Sequence, residues 1–482
     1  MKKGKVLAML LVLVMVLSMV GCGTQDTASA PTTEEQAVGE LATEESIAEE
    51  SADEELVAEA AGDRVKITYA QWGGEEETKN TQEVADIFNA SQDRIEVEVI
   101  PIPWETYMEK LNSMATAGEL PDTAIMSEAG VIKWAEEGML YNISSMYDDE
   151  PDKKPLDSLT FEFNGEPVAY SGSFQQIMLY YNKDMFDTAG LEYPATDADN
   201  AYSWDEFVEV AKQLTLDENG NTPNDADFDK NSIVQYGCMI ENLVWQLEVW
   251  CLSNGSGFYS EDGKEVIIND PAAVEAIQRI ADLHLVHNVA PLSTGLTDDG
   301  VQRSLVAGTV AMTTNGTWNM GTALREARDD NGLNYGIAVL PYMEEKITIT
   351  TGGPTVLFNQ SKHPEEAMEW LKWFAQEENN WDNLISAAIW MPKSANYYNN
   401  EEDTKRWLEN PAYPPYEEAK PVLVDYAKEY AKRASWYYVN NTDDFNTLLG
   451  STLGDVWTGK ETVQEAIDRN MAALEEAHSG DF

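Results

Sequence analysis

Strand-like and helix-like segments alternate along the chain from Val65 onward, which restricts the fold to layered α/β architectures. Apolar residues recur at every second position in the strand-like segments and at helical spacing in the others. The predicted elements are a strand over 65–70, a helix over 77–89, a strand over 95–102, a helix over 104–117 and a strand over 123–126. This order predicts a parallel sheet with helices on both faces. Ligands are then expected in the loops after Ala70 and Ile125, at the carboxyl ends of the strands.

The first 22 residues have the pattern of a secretory signal peptide. Three lysines precede an apolar run from Val6 to Leu17, which is shorter than the ~20 residues that a membrane span needs. The run leads to Gly21 and Cys22, which resemble a bacterial lipobox, although Met19 stands where that motif usually has leucine. The resemblance implies that Cys22 is lipidated, becomes the first residue of the mature chain and ties it to a membrane. The alternative is an ordinary cleavage site beside an unmodified cysteine.

Residues 23–62 are predicted to form a disordered acidic tether. They contain no Lys, Arg or aromatic residue and are rich in Ala, Thr, Ser and Glu. Such a segment buries too little apolar surface to offset its ordering entropy, and its carboxylates repel one another. The Ala and Glu residues over 44–61 would also suit a solvated helix, which would serve equally as a spacer.

The remaining ~420 residues are strongly acidic and long enough for two lobes. The whole chain has 86 Asp and Glu residues against 31 Lys and Arg. Nucleic acids and anionic membrane surfaces are bound through Lys and Arg, so this balance disfavours both as partners. An anionic substrate is disfavoured for the same reason, unless a local cluster of Arg residues binds it.

Sequence motifs of common enzyme classes are missing from the chain. It has no Cys-x-x-Cys pair, no Gly-x-Ser-x-Gly nucleophile elbow, no Walker loop and no His-Glu-x-x-His. Adjacent carboxylates are too common in so acidic a chain to indicate glycoside hydrolysis. We therefore expect a protein without catalytic residues and without an organic cofactor.

One loop carries many oxygen ligands, between a helix predicted over 203–215 and a strand that leads to Tyr236. The candidate ligands are Asp217, Asn219, Asn221, Asp225, Asp227 and Asp229. Their spacing suits calcium, although the position of the glycine and the lack of a closing Glu depart from the EF-hand. The loop is either a structural calcium site or a polar turn held by Asx-type hydrogen bonds.

The folded body contains two cysteines, Cys238 and Cys251. A body of this size needs no covalent link, which favours two buried apolar thiols. An oxidising exterior would also allow them to pair, so a disulfide stays open as the alternative.

Tryptophan gives the main functional signal. The chain has 14 Trp residues, and four of them lie in loops or near glycine: Trp72, Trp245, Trp318 and Trp390. Indole faces stack on the apolar faces of sugar rings while carboxylates and amides bind the hydroxyl groups, so these residues favour a carbohydrate site. Trp134 and Trp370 follow helical patterns and are assigned to the core. The helix around Trp245 is apolar on more than one face, so Trp245 has a core residue as its alternative.

Seven local motifs occur in an order that is typical of one protein family. They are AGELPD at 117–122, FNGEPVAY at 163–170 with YNKD at 181–184, YSWDEF at 202–207, GTVAMTTNGTW at 308–318, NYGIAVLP at 334–341, GG at 352–353 followed by SKHPEEAM at 361–368, and GKETVQEA at 459–466. In this order the body resembles, from end to end, the extracellular solute-binding lipoproteins of ABC importers. It is most similar to the carbohydrate-binding group related to maltose-binding protein.

The resemblance implies two α/β lobes that close on a ligand like a jaw, in the type II periplasmic-binding-protein-like fold. Lobe one would comprise residues 64–172 and 353–388, and lobe two residues 177–350 and 392–482. Three crossover segments would join the lobes near 172–175, 351–354 and 389–392. The Gly and Pro residues at these positions suit hinges that absorb backbone rotation.

The resemblance also places the ligand cleft. By position it implies that substrate is bound by Trp72, Gly73, Met126, Glu128, Gln175, Trp245, Asn315, Trp318 and Gly353. Trp390 is added because it stands at the third crossover. Met126 departs from the maltose binders, which carry Trp and acidic groups in this region, and Gln175 stands where the relatives use a carboxylate. The segment 433–438 is expected near the cleft as well.

The resemblance further implies binding by lobe closure and delivery of a sugar to the transmembrane subunits of an ABC permease, with ATP hydrolysed by separate subunits. A monomer is expected, held by its lipid on the outer face of the cell membrane, or in the periplasm of a cell with two membranes. Two alternatives stay open: the same scaffold binding another small solute such as a polyamine, and a surface carbohydrate-active enzyme or sensor module.

Overall fold

A computed structural model of the chain describes residues 64–292 and 305–478. The predicted signal peptide, Cys22 and the acidic tether lie outside these residues. The strands are β1 (Val65–Trp72), β2 (Ile95–Ile102), β3 (Thr123–Ile125), β4 (Thr160–Phe163), β5 (Glu166–Ser171), β6 (Gln175–Asn182), β7 (Leu216–Asp217), β8 (Ile233–Ile240), β9 (Val310–Gly316), β10 (Tyr335–Ala338), β11 (Thr348–Thr351), β12 (Pro354–Leu357) and β13 (Ala431–Arg433).

Helices cover both sheets. The α-helices are α1 (Glu75–Ser91), α2 (Tyr107–Ala117), α3 (Glu128–Glu136), α4 (Lys183–Ala189), α5 (Trp204–Leu214), α6 (Val244–Ser253), α7 (Pro271–Leu285), α8 (Ala323–Asn331), α9 (Pro364–Phe374), α10 (Glu377–Asn380), α11 (Asn396–Asn399), α12 (Glu401–Leu408), α13 (Tyr416–Lys420), α14 (Ala427–Tyr430), α15 (Thr442–Leu453) and α16 (Val463–Ala477). Within the residues that the structure describes, none of these helices has the length and hydrophobicity of a membrane span.

The first sheet has the strand order β2-β1-β3-β12-β5-β4. β1 pairs in parallel with β2 and with β3, which confirms the predicted parallel arrangement for these three strands. The other pairs of the sheet are antiparallel, so the prediction of a parallel sheet is wrong for this half. At one edge of the sheet the antiparallel pairing has a local cause. Asn164 and Gly165, both at positive φ, form a two-residue turn that joins β4 and β5 as a hairpin.

The second sheet has the order β13-β11-β6-β9-β8-β7, and β10 also pairs with β6. All eight residues of β6 are buried, which fits a central strand covered on both faces. α5 packs beside β8, and Gly237 of β8 is needed there because a Cβ would overlap the Ala211 backbone. α5 itself begins with a capping box, in which Ser203 and Glu206 satisfy each other's backbone N–H groups.

The chain passes between the two sheets at 172–174, after β5, and returns at 352–353, after β11. These two passages lie side by side: Gly172 N donates to Gly353 O at 3.0 Å, and Ser173 N donates to Gly352 O at 3.2 Å. A third segment, 387–391, lies against the first, because Phe174 N donates to Met391 O at 3.2 Å. Strand positions therefore agree with the first two predicted crossovers, while the predicted lobe boundaries stay a prediction.

Candidate ligand-binding site

An aromatic ledge lies at the carboxyl end of β1. Trp72 ends this strand and packs edge-on against Trp104, with ring centroids 4.9 Å apart, and against Tyr107 at 5.4 Å. The Tyr107 hydroxyl donates to Ile125 O at 2.7 Å and lies 3.1 Å from Ala70 O, which fixes the ledge to the ends of β1 and β3. Trp72 is half-buried and Trp104 is 44 % exposed, so indole surface faces solvent at the edge where the sequence predicts a ligand.

Gly353 connects this ledge to the second passage. Its φ is +60°, and a Cβ there would lie 2.7 Å from Trp72 Cζ2 and 2.5 Å from Ile125 Cδ1. Both the backbone conformation and the space therefore require glycine. Gly353, which the sequence predicts as a ligand contact, thus permits close packing of the second passage on Trp72.

A second aromatic pair belongs to the other sheet. Trp245 on α6 and Trp318, which follows β9, have ring centroids 6.1 Å apart and ring planes tilted by 40°. Both indoles are half-buried, whereas their chain neighbours Val244, Gln246, Thr317 and Asn319 are buried. A Cβ at Gly316 would overlap the Trp318 ring, so glycine allows the indole to fold over the strand end. We call Trp245 and Trp318 the indole platform.

Trp436 packs against the indole platform. It lies in the short 3₁₀ turn Ser435–Tyr437, is 4 % exposed and packs edge-on against Trp245 at 6.1 Å. The segment 433–438, expected near the cleft, thus contacts the platform through this residue.

Glu128 bonds to the second passage, and Gln175 bonds to segment 387–391. Glu128 Oε1 accepts hydrogen bonds from Gly352 N at 3.0 Å, from Gly353 N at 3.1 Å and from the Thr351 hydroxyl. Gln175 Nε2 donates to Ile389 O at 3.0 Å. The same amide accepts from the Thr317 hydroxyl through Oε1. Glu128 therefore holds the backbone of the second passage, and Gln175 holds the backbone of segment 387–391.

Asn315 and Met126 lie inside the walls of the site. Asn315 is fully buried, and its Oδ1 accepts from Gly316 N at 2.6 Å and from Asn319 Nδ2 at 3.1 Å. Met126 is also fully buried, and its backbone N donates to Pro354 O at 2.8 Å. Neither side chain exposes surface in this conformation, so their direct role in binding stays a prediction.

Glu77 is a site residue that the sequence analysis missed. It lies in the first turn of α1, where its Oε1 accepts from Gln71 Nε2 at 3.2 Å and from Trp390 Nε1 at 3.5 Å. Desolvation raises the pKa of this carboxyl to about 7. Gly73, at φ +116°, leaves room for it, since a Cβ there would overlap the carboxylate. No sequence signal distinguishes Glu77, because it is one of three consecutive glutamates.

Trp390 supports that carboxylate and presents little open face. The ring is 4 % exposed and packs edge-on against Phe374 at 5.6 Å. Its predicted stacking role would need a change of conformation, whereas its hydrogen bond to Glu77 is already formed.

A second acidic group lies on α6, the helix that carries Trp245 of the indole platform. Glu248, one turn after Trp245 on α6, is 2 % exposed. Its two carboxylate oxygens accept from Ser435 N at 2.9 Å and from the Ser435 hydroxyl at 3.0 Å. Burial outweighs these bonds and raises the pKa of Glu248 to about 7.

The loop proposed for calcium is held by its own hydrogen bonds. Asp217 Oδ1 accepts from Asn219 N at 2.8 Å and Asn221 N at 2.9 Å, and Oδ2 accepts from Asp229 N at 3.0 Å. Burial opposes ionisation of Asp217, but these bonds outweigh it and lower the pKa to about 2. In the described part of the chain, no three His, Cys, Asp or Glu side chains converge as metal ligands. The polar turn therefore accounts for the loop, and calcium stays an untested hypothesis.

Cys238 and Cys251 are both buried free thiols. Burial raises the pKa of each thiol well above its ordinary value. Of the two readings of the sequence, the structure has the unpaired one.

The chain has two mixed sheets joined by adjacent passages, and each sheet carries an indole pair beside these passages. This arrangement defines a two-lobed binding protein. It belongs to the bacterial extracellular solute-binding protein family, whose model matches residues 83–415. One relative is the sn-glycerol-3-phosphate-binding periplasmic protein of Agrobacterium fabrum. It is 23 % identical over 442 residues, which cover 85 % of this chain and 92 % of the relative.

Solved structures have the same fold. An ABC substrate-binding protein from Listeria monocytogenes, in complex with cycloalternan, has a TM-score of 0.70 and 21 % identity and covers 86 % of this chain and 99 % of its own. An ABC transporter solute-binding protein from Thermotoga lettingae, bound with α-D-tagatose, has a TM-score of 0.72 and 18 % identity, with coverage of 86 % and 100 %. These similarities confirm the predicted two-lobed α/β fold and the family recognised from the motifs.

Proposed function

We propose that this chain is the substrate-binding component of an ABC importer and that it captures a sugar or oligosaccharide outside the cell membrane. One observation carries the proposal: each sheet presents indole surface beside the passages, Trp72 with Trp104 on one side and the indole platform on the other. Stacking on both faces of a sugar ring is the arrangement that such surfaces suit. The sugar complexes of the Listeria and Thermotoga proteins support this class of ligand.

Binding is coupled to closure in this proposal. A sugar that docks on the indole platform would recruit the ledge of Trp72 and Trp104, and the additional contacts would stabilise the closed form. The transmembrane subunits of the permease would recognise that form and accept the sugar. We expect the chain to bind without catalysis and to act as a monomer. Asn315, Gln175 and Glu128 would shape the cleft through the walls and the passages.

The N-terminal segment supplies the membrane attachment in this proposal. Residues 1–22 would direct export, Cys22 would carry the lipid, and residues 23–62 would hold the folded body away from the membrane. The folded body would then lie on the outer surface of a cell with one membrane, or in the periplasm of a cell with two.

Arg325 and Glu77 favour a neutral ligand over an anionic one, although the Agrobacterium relative is named for glycerol phosphate. Arg325 on α8 is ion-paired with Glu76, and its Nη1 also donates to Ala387 O at 3.4 Å. Its charge is therefore already neutralised. Glu77 is close by in sequence, and an ionised carboxylate there would repel a phosphate.

A polyamine is the second candidate, and Glu77 is the observation that favours it. A cationic amine beside this carboxyl would reverse the effect of desolvation on its pKa, and aromatic faces also bind ammonium groups. A polyamine would then bind more tightly as Glu77 ionises. It would not need the flat stacking surface of both indole pairs.

Thermal melting and tryptophan fluorescence with a ligand panel test the proposal. The panel is maltotriose, cycloalternan, D-tagatose, sn-glycerol 3-phosphate and spermidine. A bound sugar should raise stability as RT ln(1 + [L]/Kd), about 2.7 kcal/mol at a hundredfold excess over Kd. Trp318→Ala should abolish the shift. Trp373→Ala should keep it, because this half-buried indole packs on Phe88 at 5.2 Å, on the flank of the first sheet. A shift with spermidine alone would replace the sugar by the polyamine, and no shift with any compound would contradict both.

A further inference from the structure

We propose that Gln175 is a positioning residue that couples the indole platform to segment 387–391, so that a sugar stacked on Trp318 stabilises the arrangement of that segment. The ligand part of this inference rests on the proposed function. The coupling itself concerns contacts that exist in the protein without ligand. It assigns to Gln175 a mechanical role in place of the ligand contact expected from its position.

The first link joins Gln175 to the platform. The Thr317 hydroxyl donates to Gln175 Oε1, and Thr317 directly precedes Trp318. Thr317 Oγ1 also accepts from Gln176 N at 3.3 Å, which fixes the hydroxyl between the first passage and the platform. Thr317 is fully buried and Gln175 is 5 % exposed. Because water does not compete for these groups, loss of either partner leaves the other unsatisfied.

The second link joins Gln175 to segment 387–391. Gln175 Nε2 donates to Ile389 O at 3.0 Å, across 214 residues of sequence. One amide therefore bonds to the platform through its oxygen and to this segment through its nitrogen. Trp390 follows Ile389 and carries the hydrogen bond to Glu77, so the same segment leads to the acidic group of the first sheet.

Segment 387–391 also contains a residue in an unfavourable backbone conformation. Ala388 has φ +56°, which is costly for a residue with a Cβ. It is 1 % exposed, and a Cβ at Gly321, at the end of the turn Thr317–Gly321, would overlap its backbone. The turn that carries Trp318 therefore touches segment 387–391 at Ala388, while Gln175 bonds to the next residue. The platform turn and Gln175 therefore contact the segment at two adjacent residues, in addition to its bonds to Phe174, Arg325 and Glu77.

Gln176 provides a matched control. It follows Gln175 in β6, is 1 % exposed and donates through Nε2 to Val422 O at 2.9 Å. Its side chain thus loses the same kind of hydrogen bond on replacement, at the same depth, but bonds to neither the platform turn nor segment 387–391. Gln175→Leu removes two side-chain hydrogen bonds and Gln176→Leu removes one, so Gln175→Leu should destabilise the protein more, and the two variants are compared by where amide exchange accelerates.

Hydrogen–deuterium exchange of the full-length protein tests the coupling without ligand. In Gln175→Leu, the amides of 387–391 should exchange at least about tenfold faster than in the wild type, while in Gln176→Leu they should be unchanged. Thr317→Val removes only the first link and is nearly isosteric, so it serves if Gln175→Leu does not fold. It should accelerate exchange in the same amides. If the amides of 387–391 exchange at the same rate in Gln175→Leu, Gln176→Leu and Thr317→Val, the inference is overturned.

Maltotriose, or D-tagatose if it gives the larger thermal shift, tests the ligand part. The sugar should slow exchange of 387–391 in the wild type and in Gln176→Leu but not in Gln175→Leu, and stopped-flow fluorescence should show faster dissociation from Gln175→Leu with an unchanged association rate. Equal protection in Gln175→Leu would contradict the inference even with intact sugar binding. If no sugar binds the wild type, the proposed function fails, and the exchange rates without ligand still decide the coupling.

Discussion

The indole nitrogen of Trp390 donates to Glu77 Oε1 at 3.5 Å, so a carboxyl at the start of α1 is held by a residue of segment 387–391. Gln71 Nε2 contributes a second neutral donor at 3.2 Å. Two neutral donors do not compensate for desolvation, which is why the pKa of Glu77 rises to about 7. This carboxyl thus changes its charge near neutral pH, within the proposed binding site.

Sugar affinity should depend on pH through Glu77. Hydroxyl donors of a bound sugar would favour the ionised carboxylate and lower its pKa, so affinity should rise as pH increases towards 7 and level off above it. The expected loss between pH 8 and pH 5.5 is about tenfold, since one pKa unit corresponds to ~1.4 kcal/mol. Titrations followed by tryptophan fluorescence measure it. Glu77→Gln should flatten the profile, and a profile that keeps its slope in this variant would assign the titration to another group.

Folding stability should fall with rising pH because of Glu248. The folded-state pKa of about 7 is above the unfolded value, so this group binds an extra proton in the folded state between the two values. Its contribution is fully present below the unfolded pKa and is lost as pH rises through 7. Glu248→Gln keeps an acceptor for Ser435 N and removes the titration, so at pH 8 it should stabilise the protein by roughly 1–3 kcal/mol.

Urea unfolding of wild type and Glu248→Gln at pH 5 and pH 8 checks this prediction. Glu77 also makes the free energy of unfolding fall with rising pH. The Glu77→Gln variant is therefore the reference that separates the contribution of Glu248 from that of Glu77. If the free energy of unfolding differs between Glu248→Gln and wild type by the same amount at both pH values, Glu248 is ionised in the folded protein from pH 5 to pH 8.

Local patterns predicted much of the fold. The strand predicted over 65–70 is part of β1, and the one over 95–102 matches β2, because alternation of apolar residues depends only on neighbours in sequence. The helix predicted from Trp104 begins instead at Tyr107, after the 3₁₀ turn Trp104–Thr106. This difference matters for the site, since the turn leaves Trp104 exposed beside Trp72.

Long-range contacts limited the prediction of the site. The partners of Gln175 lie 142 and 214 residues away, and those of Glu128 more than 220 residues away, so no local pattern shows that these side chains bond to the platform turn, to segment 387–391 and to the second passage. The antiparallel pairing of β12 with β3 was not predicted for the same reason, since the two strands are distant in sequence. The position of Trp318, by contrast, was marked by Gly316, which leaves space for its ring.

Gly353→Ala should destabilise the protein more than its backbone conformation alone explains. The positive φ costs ~1–2 kcal/mol, and the contact of the new Cβ with Trp72 and Ile125 should add about as much again. Gly332→Ala is the control, because Gly332 has φ +70° but open space around its Cβ position. Denaturant unfolding of both variants measures the difference. Equal losses would mean that the Trp72 ring moves aside at no cost.

Trp104→Ala should weaken sugar binding and leave folding nearly unchanged. The indole is 44 % exposed, so its removal should cost under ~1 kcal/mol of stability, while loss of a stacking face should reduce affinity about tenfold. Tyr141→Ala is a control of similar exposure, at 40 %. Its backbone bonds to Leu357, which pairs with Thr123 at the opposite end of β3 from the ledge, so its affinity should equal that of the wild type. Isothermal titration with the best sugar of the panel measures both variants, and an unchanged affinity in Trp104→Ala would restrict stacking on this side to Trp72.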